Sequence, residues 1–207
     1  MAKQPMHPSR PQASGFSLLE LMIVVSLISI LALLVTPSMA EWTRNQRIRG
    51  AAENLLHGLQ LAREEAIRRN RPVSFWLVSD LSGSCTLSDS SGIWVISIHS
   101  PWDDCDAAPS MTEAPLMIKT GEVPGALNVK AFAQGVGQAS EVRFDGYGRI
   151  PEGSGRIVRI DVTDPADAGK PDVTTHAYRS LRVAIKGSGA VRMCDPRIST
   201  PGDTRAC

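Results

Sequence analysis

No two cysteines of the chain form a CxxC pair and no histidine doublet stands near any of them, so the sequence offers no zinc-ligand set. It also lacks a phosphate-cradling glycine loop and any serine or cysteine in a recognisable nucleophile motif. His57, His99 and His176 fall singly, in a helical pattern, before "SPWDDCD" and in a polar loop. Asp103, Asp104 and Asp106 carry hard oxygen ligands, but their spacing lacks the EF-hand register, and they read as a solvated loop. These absences point away from an enzyme, a metal or a cofactor. A charge excess is missing too: 22 Lys and Arg against 21 Asp and Glu leave a net +1, so any case for nucleic acid must be local.

What is present begins with four cysteines, Cys85, Cys105, Cys194 and Cys207, an even number in two sequence-local pairs that suits an oxidising compartment. Three pairings are possible. The favoured one joins Cys85 to Cys105 and Cys194 to Cys207, because each bridge then closes a short polar loop poor in core residues; the second would contribute about 3 kcal/mol in the loop-entropy picture. A chain of 207 residues with 43% apolar content accommodates one leader or membrane segment and one globular domain.

Met1 to Ser14 are polar, with Lys3 and Arg10 and no acid; Phe16 to Val35 then run apolar except for Glu20 and scattered serines. As a helix that run is long enough to cross about 30 Å of hydrocarbon. An acid inside it costs about 2.5 to 3.5 kcal/mol at mid-bilayer, so Glu20 calls for a partner. Ser38 and Ala40 form a small-x-small cleavage pattern, but the apolar core exceeds the roughly 7 to 15 residues of a secretory signal and holds an acid. Lys3 and Arg10 before the span are matched by Arg44, Arg47 and Arg49 after it, so charge does not set orientation; the cysteines place the C-terminal part outside the cytoplasm.

From Ile48 the apolar positions Ile48, Ala52, Leu55, Leu59, Ala62 and Ala66 are spaced 4, 3, 4, 3 and 4, one face of a helix, ending at "RRNRP" where Pro72 prevents continuation. Seven arginines between Arg44 and Arg71, against Glu53, Glu64 and Glu65, read as a solvated face with i,i+4 pairs and juxtamembrane anchors. Beyond Pro72 the runs "VSFWLV", "GIWVISIH", "PLMIK", "LNVKAF", "EVRF", "RIVRIDV" and "SLRVAIK" are strand-like, separated by Gly, Pro, Asp and Ser. One helix followed by about seven strands argues an α+β fold, with antiparallel sheet on the helix stripe. "FDGYGRI" reads as a hairpin around an Asp-Gly turn, with Gly148 structural. In the tail, Arg182, Lys186, Arg192, Arg197 and Arg205 face only Asp195 and Asp203, which would make a Cys194–Cys207 loop basic and able to hold phosphates.

"GFSLLELMIVVSLISILALLVTPSM" resembles the class III signal of type IV pilins and type II secretion pseudopilins, and "RNQRIRGAAENLLHGLQLAREEAIRRNRPV" resembles the helix of the GspH/FimT family of minor pilins and pseudopilins. "FDGYGRI" is similar to that family's mid-domain F-x-x-x-G hairpin. The resemblance implies a type IV pilin-like fold in four parts. These are a leader at 1–15, a membrane and assembly half of a long helix at 16–37, its amphipathic half at 38–72, and a periplasmic β-rich domain at 73–207 ending in a disulfide loop. It further implies that a prepilin peptidase cuts after Gly15 and methylates the new amine of Phe16. Glu20 would then meet such an amine in the filament, and Pro37 would bend, loosen or break the helix. The implied partners are other minor and major pilins or pseudopilins, the peptidase, an inner-membrane assembly platform and inner-membrane lipid. Some family members bind double-stranded DNA through a C-terminal G-R-x-R-x-C motif, which would place Arg192 on DNA, with Arg197 and Arg205 of the basic loop beside it. Here the motif reads Gly189, Ala190, Val191, Arg192, Met193, Cys194, so alanine replaces its first arginine.

Overall fold

A computed structural model describes residues 16–135, 137–153, 155–170 and 176–207, and of residues 33–38 the backbone alone. The expected leader, with Gly15, lies outside the described residues, as does the side chain of Pro37. The first element is a single helix, α1 (Leu18–Arg69), which continues through position 37 without a break. Two compact units divide at residue 40.

In the first unit α1 opens on Ser17, whose Oγ accepts the Glu20 N–H at 3.2 Å and whose carbonyl accepts Leu21 N–H at 3.1 Å. Ser-x-x-Glu at a helix start is the capping-box arrangement, and its serine half is made here. Among the described residues no helix is long and apolar enough to cross a membrane. The stretch with described side chains, 18–32, stops short of the roughly 20 residues a span needs.

In the second unit α1 contributes Ile48, Ala51, Ala52, Leu55, Leu59, Ala62 and Ala66 to the core, all fully buried. Eight strands follow among the described residues: β1 (Val73–Val78), β2 (Ile93–Ser97), β3 (Met117–Glu122), β4 (Asn128–Ala133), β5 (Glu141–Phe144), β6 (Ile157–Thr163), β7 (Leu181–Ile185) and β8 (Val191–Cys194). They form two four-stranded sheets, ordered β3-β2-β1-β5 and β4-β6-β7-β8, with every strand pair antiparallel. The expected stripe is thus the helix face that packs into the core with Phe75, Leu77, Phe144, Ile160 and Val183.

Close approach of helix and sheet depends on small residues. A Cβ at Gly58 would stand 2.9 Å from Phe75 Cε2, and one at Gly121 would stand 2.2 Å from Trp94 Cζ2. Trp94 is therefore sandwiched between α1 and β3, with its Nε1 donating to Asn54 Oδ1 at 2.8 Å. β1 is buried along its whole length because both of its faces are covered. On the face away from α1, Trp76 and Val78 meet Val95, Met117 and the Cys85–Cys105 bridge in a second small cluster.

The helix ends as its sequence suggests, just before Pro72. Asn70 takes a left-handed conformation, Asn70 N–H donates to Ile67 O and Arg71 N–H to Ala66 O, which is the Schellman cap. "FDGYGRI" departs from the expected hairpin: β5 pairs with β1, 65 to 71 residues earlier in sequence, and the segment after it is not a strand. The Asp-Gly turn instead seats on the helix end. Asp145 Oδ1 accepts the N–H of Tyr147 and of Arg149, and Gly148 O accepts from Arg63 Nε at 3.0 Å. Gly148 is structural in a specific sense, since a Cβ there would lie 2.7 Å from Ile67 Cδ1.

Candidate functional site

Two places absorb the residues singled out by sequence, the start of α1 and the C-terminal loop. Along the first, every large apolar residue from Leu18 to Leu31 is at least 48% exposed, and Phe16 is 86% exposed. Monomeric soluble domains rarely show so continuous an apolar surface. The polar residues inside it are mostly self-satisfied. Ser26 Oγ donates to Ile23 O and Ser29 Oγ to Val25 O, both at 2.8 Å, so neither hydroxyl needs an outside partner. Glu20 differs: among the described residues its carboxylate accepts no hydrogen bond and forms no ion pair. Ser17, which caps the turn carrying Glu20, was not singled out by sequence reading; the Ser-x-x-Glu spacing was the available signal.

The C-terminal loop is closed by the bridge between Cys194 and Cys207, with its Cα atoms 5.1 Å apart. Its organising group is Asp195, buried at the loop's root. Asp195 N–H donates to Arg205 O at 2.7 Å, Arg179 Nε reaches Asp195 Oδ2 at 3.2 Å, and Arg197 N–H donates to Asp195 Oδ1 at 3.0 Å. The three arginines expected to face phosphates are engaged internally. Arg192 Nη2 donates to Cys207 O at 2.6 Å, Arg197 Nε lies 3.6 Å from Asp195, and Arg205 forks onto both oxygens of Asp203 at 3.1 and 2.8 Å. That fork holds the Asp203 carboxyl down to about 2 and the Arg205 guanidinium above its ordinary value.

Gly189, the glycine of the motif, sits at φ +79° with Gly148 O where a Cβ would lie, so the close approach of two turns accounts for it without a ligand. The Asp103, Asp104 and Asp106 loop holds no candidate cation site: among the described residues no group of three or more His, Cys, Asp or Glu side chains is placed to hold a metal.

The family model described as "Type II transport protein GspH" matches residues 51–189, more than half of the chain, from the helix stripe to the turn before β8. The chain belongs to the GspH family. A second model, the prokaryotic N-terminal methylation motif, matches residues 10–36 of this GspH-family chain, the stretch that carries Gly15, Phe16 and Glu20. No curated protein matches the chain. Among solved structures, the type IV minor pilin FimU of Pseudomonas aeruginosa is 17% identical, covering 70% of this chain and 90% of its own at a TM-score of 0.46. The minor pseudopilin EpsH from the Type 2 Secretion System of Vibrio cholerae is 14% identical, covering 71% and 95% at 0.41. E. coli GspH, known from a solution structure, is 16% identical, covering 76% and 94% at 0.42.

Proposed function

We propose that this GspH-family protein is a non-catalytic minor pilin or pseudopilin. It is cut after Gly15 by a prepilin peptidase, methylated at Phe16 and held in the inner membrane by residues 16–37 with its C-terminal domain in the periplasm. From there it is drawn through an assembly platform into a type IV pilus or type II secretion pseudopilus, at or near the tip, beside other subunits. One observation carries this reading: on an exposed apolar helix where Ser26 and Ser29 bond to their own backbone, the Glu20 carboxylate has no partner among the described residues. In a low-dielectric surrounding that charge is tolerated when a cation meets it, and the amine freed at Phe16, in the same or a neighbouring copy, is of the right sign.

The two disulfides support placement of residues 73–207 in an oxidising compartment. A duplex-DNA receptor acting through Arg192, Arg197 and Arg205 has less support, because all three are engaged inside the loop and alanine stands at position 190. The test is Glu20→Ala expressed in cells that carry the assembly machinery. The variant is expected to insert and be trimmed to methyl-Phe16, read by mass spectrometry of the intact subunit, yet to be lost from sheared filaments. Normal incorporation of Glu20→Ala, or a parent subunit that keeps its leader, would sink the reading.

A further inference from the structure

The outer face of the second sheet is concave and polar. A cavity of about 700 Å³ lies over β4, β6 and β7, within the range of small-molecule sites. Register places its charges. Lys130 stands opposite Asp161 and Asp161 opposite Arg182, while Phe132 stands opposite Arg159, so all five side chains share one face. Asp89 joins them from the segment before β2, because its carbonyl accepts Ala131 N–H at 2.7 Å.

Two of the acids lining this groove are already taken. Arg182 forks onto Asp161 at 2.6 and 2.8 Å, and Lys170 Nζ meets Asp167 Oδ1 at 2.8 Å. Arg182 takes the hydrogen bonds of Asp161, and Arg159 keeps only a long ion pair with it, Nε to Oδ2 at 3.9 Å, beyond hydrogen-bonding distance. That Nε is buried and makes no hydrogen bond among the described residues, while the guanidinium carbon lies 4.3 Å over the Phe132 ring. The ring stiffens a cation whose donors make no hydrogen bond among the described residues. Lys130 is exposed and forms no ion pair among the described residues, and the Asp89 carboxylate accepts no hydrogen bond among them.

What remains without a side-chain hydrogen bond among the described residues is two cations, Arg159 and Lys130, and one acceptor-only carboxylate, Asp89. A polyanion would meet the repulsion of Asp89, Asp161 and Asp167 together, and a neutral ligand would leave Arg159 and Lys130 idle. A guanidinium fork suits a carboxylate, and a free carboxylate beside it suits hydroxyl donors. We propose that this groove binds a hydroxylated carboxylate of the uronic-acid class, with Arg159 and Lys130 on the ligand's carboxylate and Asp89 on its hydroxyl groups.

The test is calorimetric titration of the full chain in detergent with D-glucuronate, D-glucose and inorganic phosphate. Glucuronate is expected to bind at least tenfold more tightly than either of the others. Lys130→Ala should weaken it at least tenfold, and Arg159→Met more; Asp89→Ala should bring glucuronate down to the level of phosphate. Arg159→Met loses its stack on Phe132 and could disturb folding, whereas Lys130 is solvent-facing, so Lys130→Ala decides the matter if the arginine variant does not fold. Glucuronate binding no tighter than glucose or phosphate, or unchanged in Lys130→Ala, would overturn the proposal.

Discussion

Helix α1 contains two apolar stretches that differ in what covers them. Between Leu18 and Leu31 every large apolar side chain is at least 48% exposed; between Ile48 and Ala66 the stripe residues are fully buried. The difference is in periodicity more than in hydrophobicity. The first stretch places apolar residues at nearly every angle around the helix, which no single sheet can cover, so it needs an apolar surrounding such as lipid or a bundle of like helices. The second confines them to one face, spaced 4, 3, 4, 3 and 4, and a single domain buries that face completely.

The sharpest way to break this contrast is to remove the same side chain from each stretch. Leu59→Ala should destabilise the domain by about 2 to 5 kcal/mol, since it leaves a cavity against a helix face packed with Phe75 and Trp94. Leu27→Ala should change domain stability by no more than about 0.5 kcal/mol. Both are measured by denaturant unfolding of the full chain in detergent. Equal losses would mean that the two stretches are covered alike.

The C-terminal loop offers a third arrangement, with neither a stripe nor an apolar surrounding. Past Cys194 the one buried residue is Asp195, and a covalent bridge stands in for the missing core. Replacing Cys194 and Cys207 together with serine should cost about 3 kcal/mol by freeing the loop in the unfolded chain. A loss below about 0.5 kcal/mol in the difference between denaturation midpoints would show that the Asp195 hydrogen bonds hold the loop by themselves.

Sequence made the local features legible. The stripe from Ile48 to Ala66, the stop before Pro72 and most strand runs follow from spacing and propensity, which act within about ten residues. Features set by distant pairing were not readable. β8 is short and interrupted by Arg192, so it is absent from the strand-like runs of the sequence and becomes a strand through its pairing with β7. The division into two sheets and the pairing of β5 with β1 depend on contacts far apart in the chain, which no window reports. The groove was invisible for the same reason. Asp89, Lys130 and Arg159 are each ordinary surface residues by sequence, and cross-strand register brings them together. The tail's charge excess was legible, but its internal pairing was not, since Arg179 and Arg192 reach acceptors 15 or 16 residues away.

Two carboxylates carry the comparison to its smallest effect. Glu20 has no partner for its charge among the described residues, whereas Asp167 is buried with a complete set. Burial would push the Asp167 carboxyl up, but the Lys170 ammonium at 2.8 Å and the N–H groups of Ala177 at 2.9 Å and Tyr178 at 3.1 Å outweigh it and bring it from 3.8 to about 2. A folded value below the unfolded one gives stability that is fully present above about pH 4 and is lost as pH falls toward 2. The contribution is about 2 kcal/mol. Asp167→Asn should therefore lower stability by roughly that amount at pH 7 and flatten its pH dependence between about 4 and 2. An unchanged slope in the variant would place the acid sensitivity on other carboxylates. A charge that the domain satisfies from its own chain thus turns protonation into a loss of stability, because the Lys170 ammonium and the N–H groups of Ala177 and Tyr178 lose the anion they are arranged around.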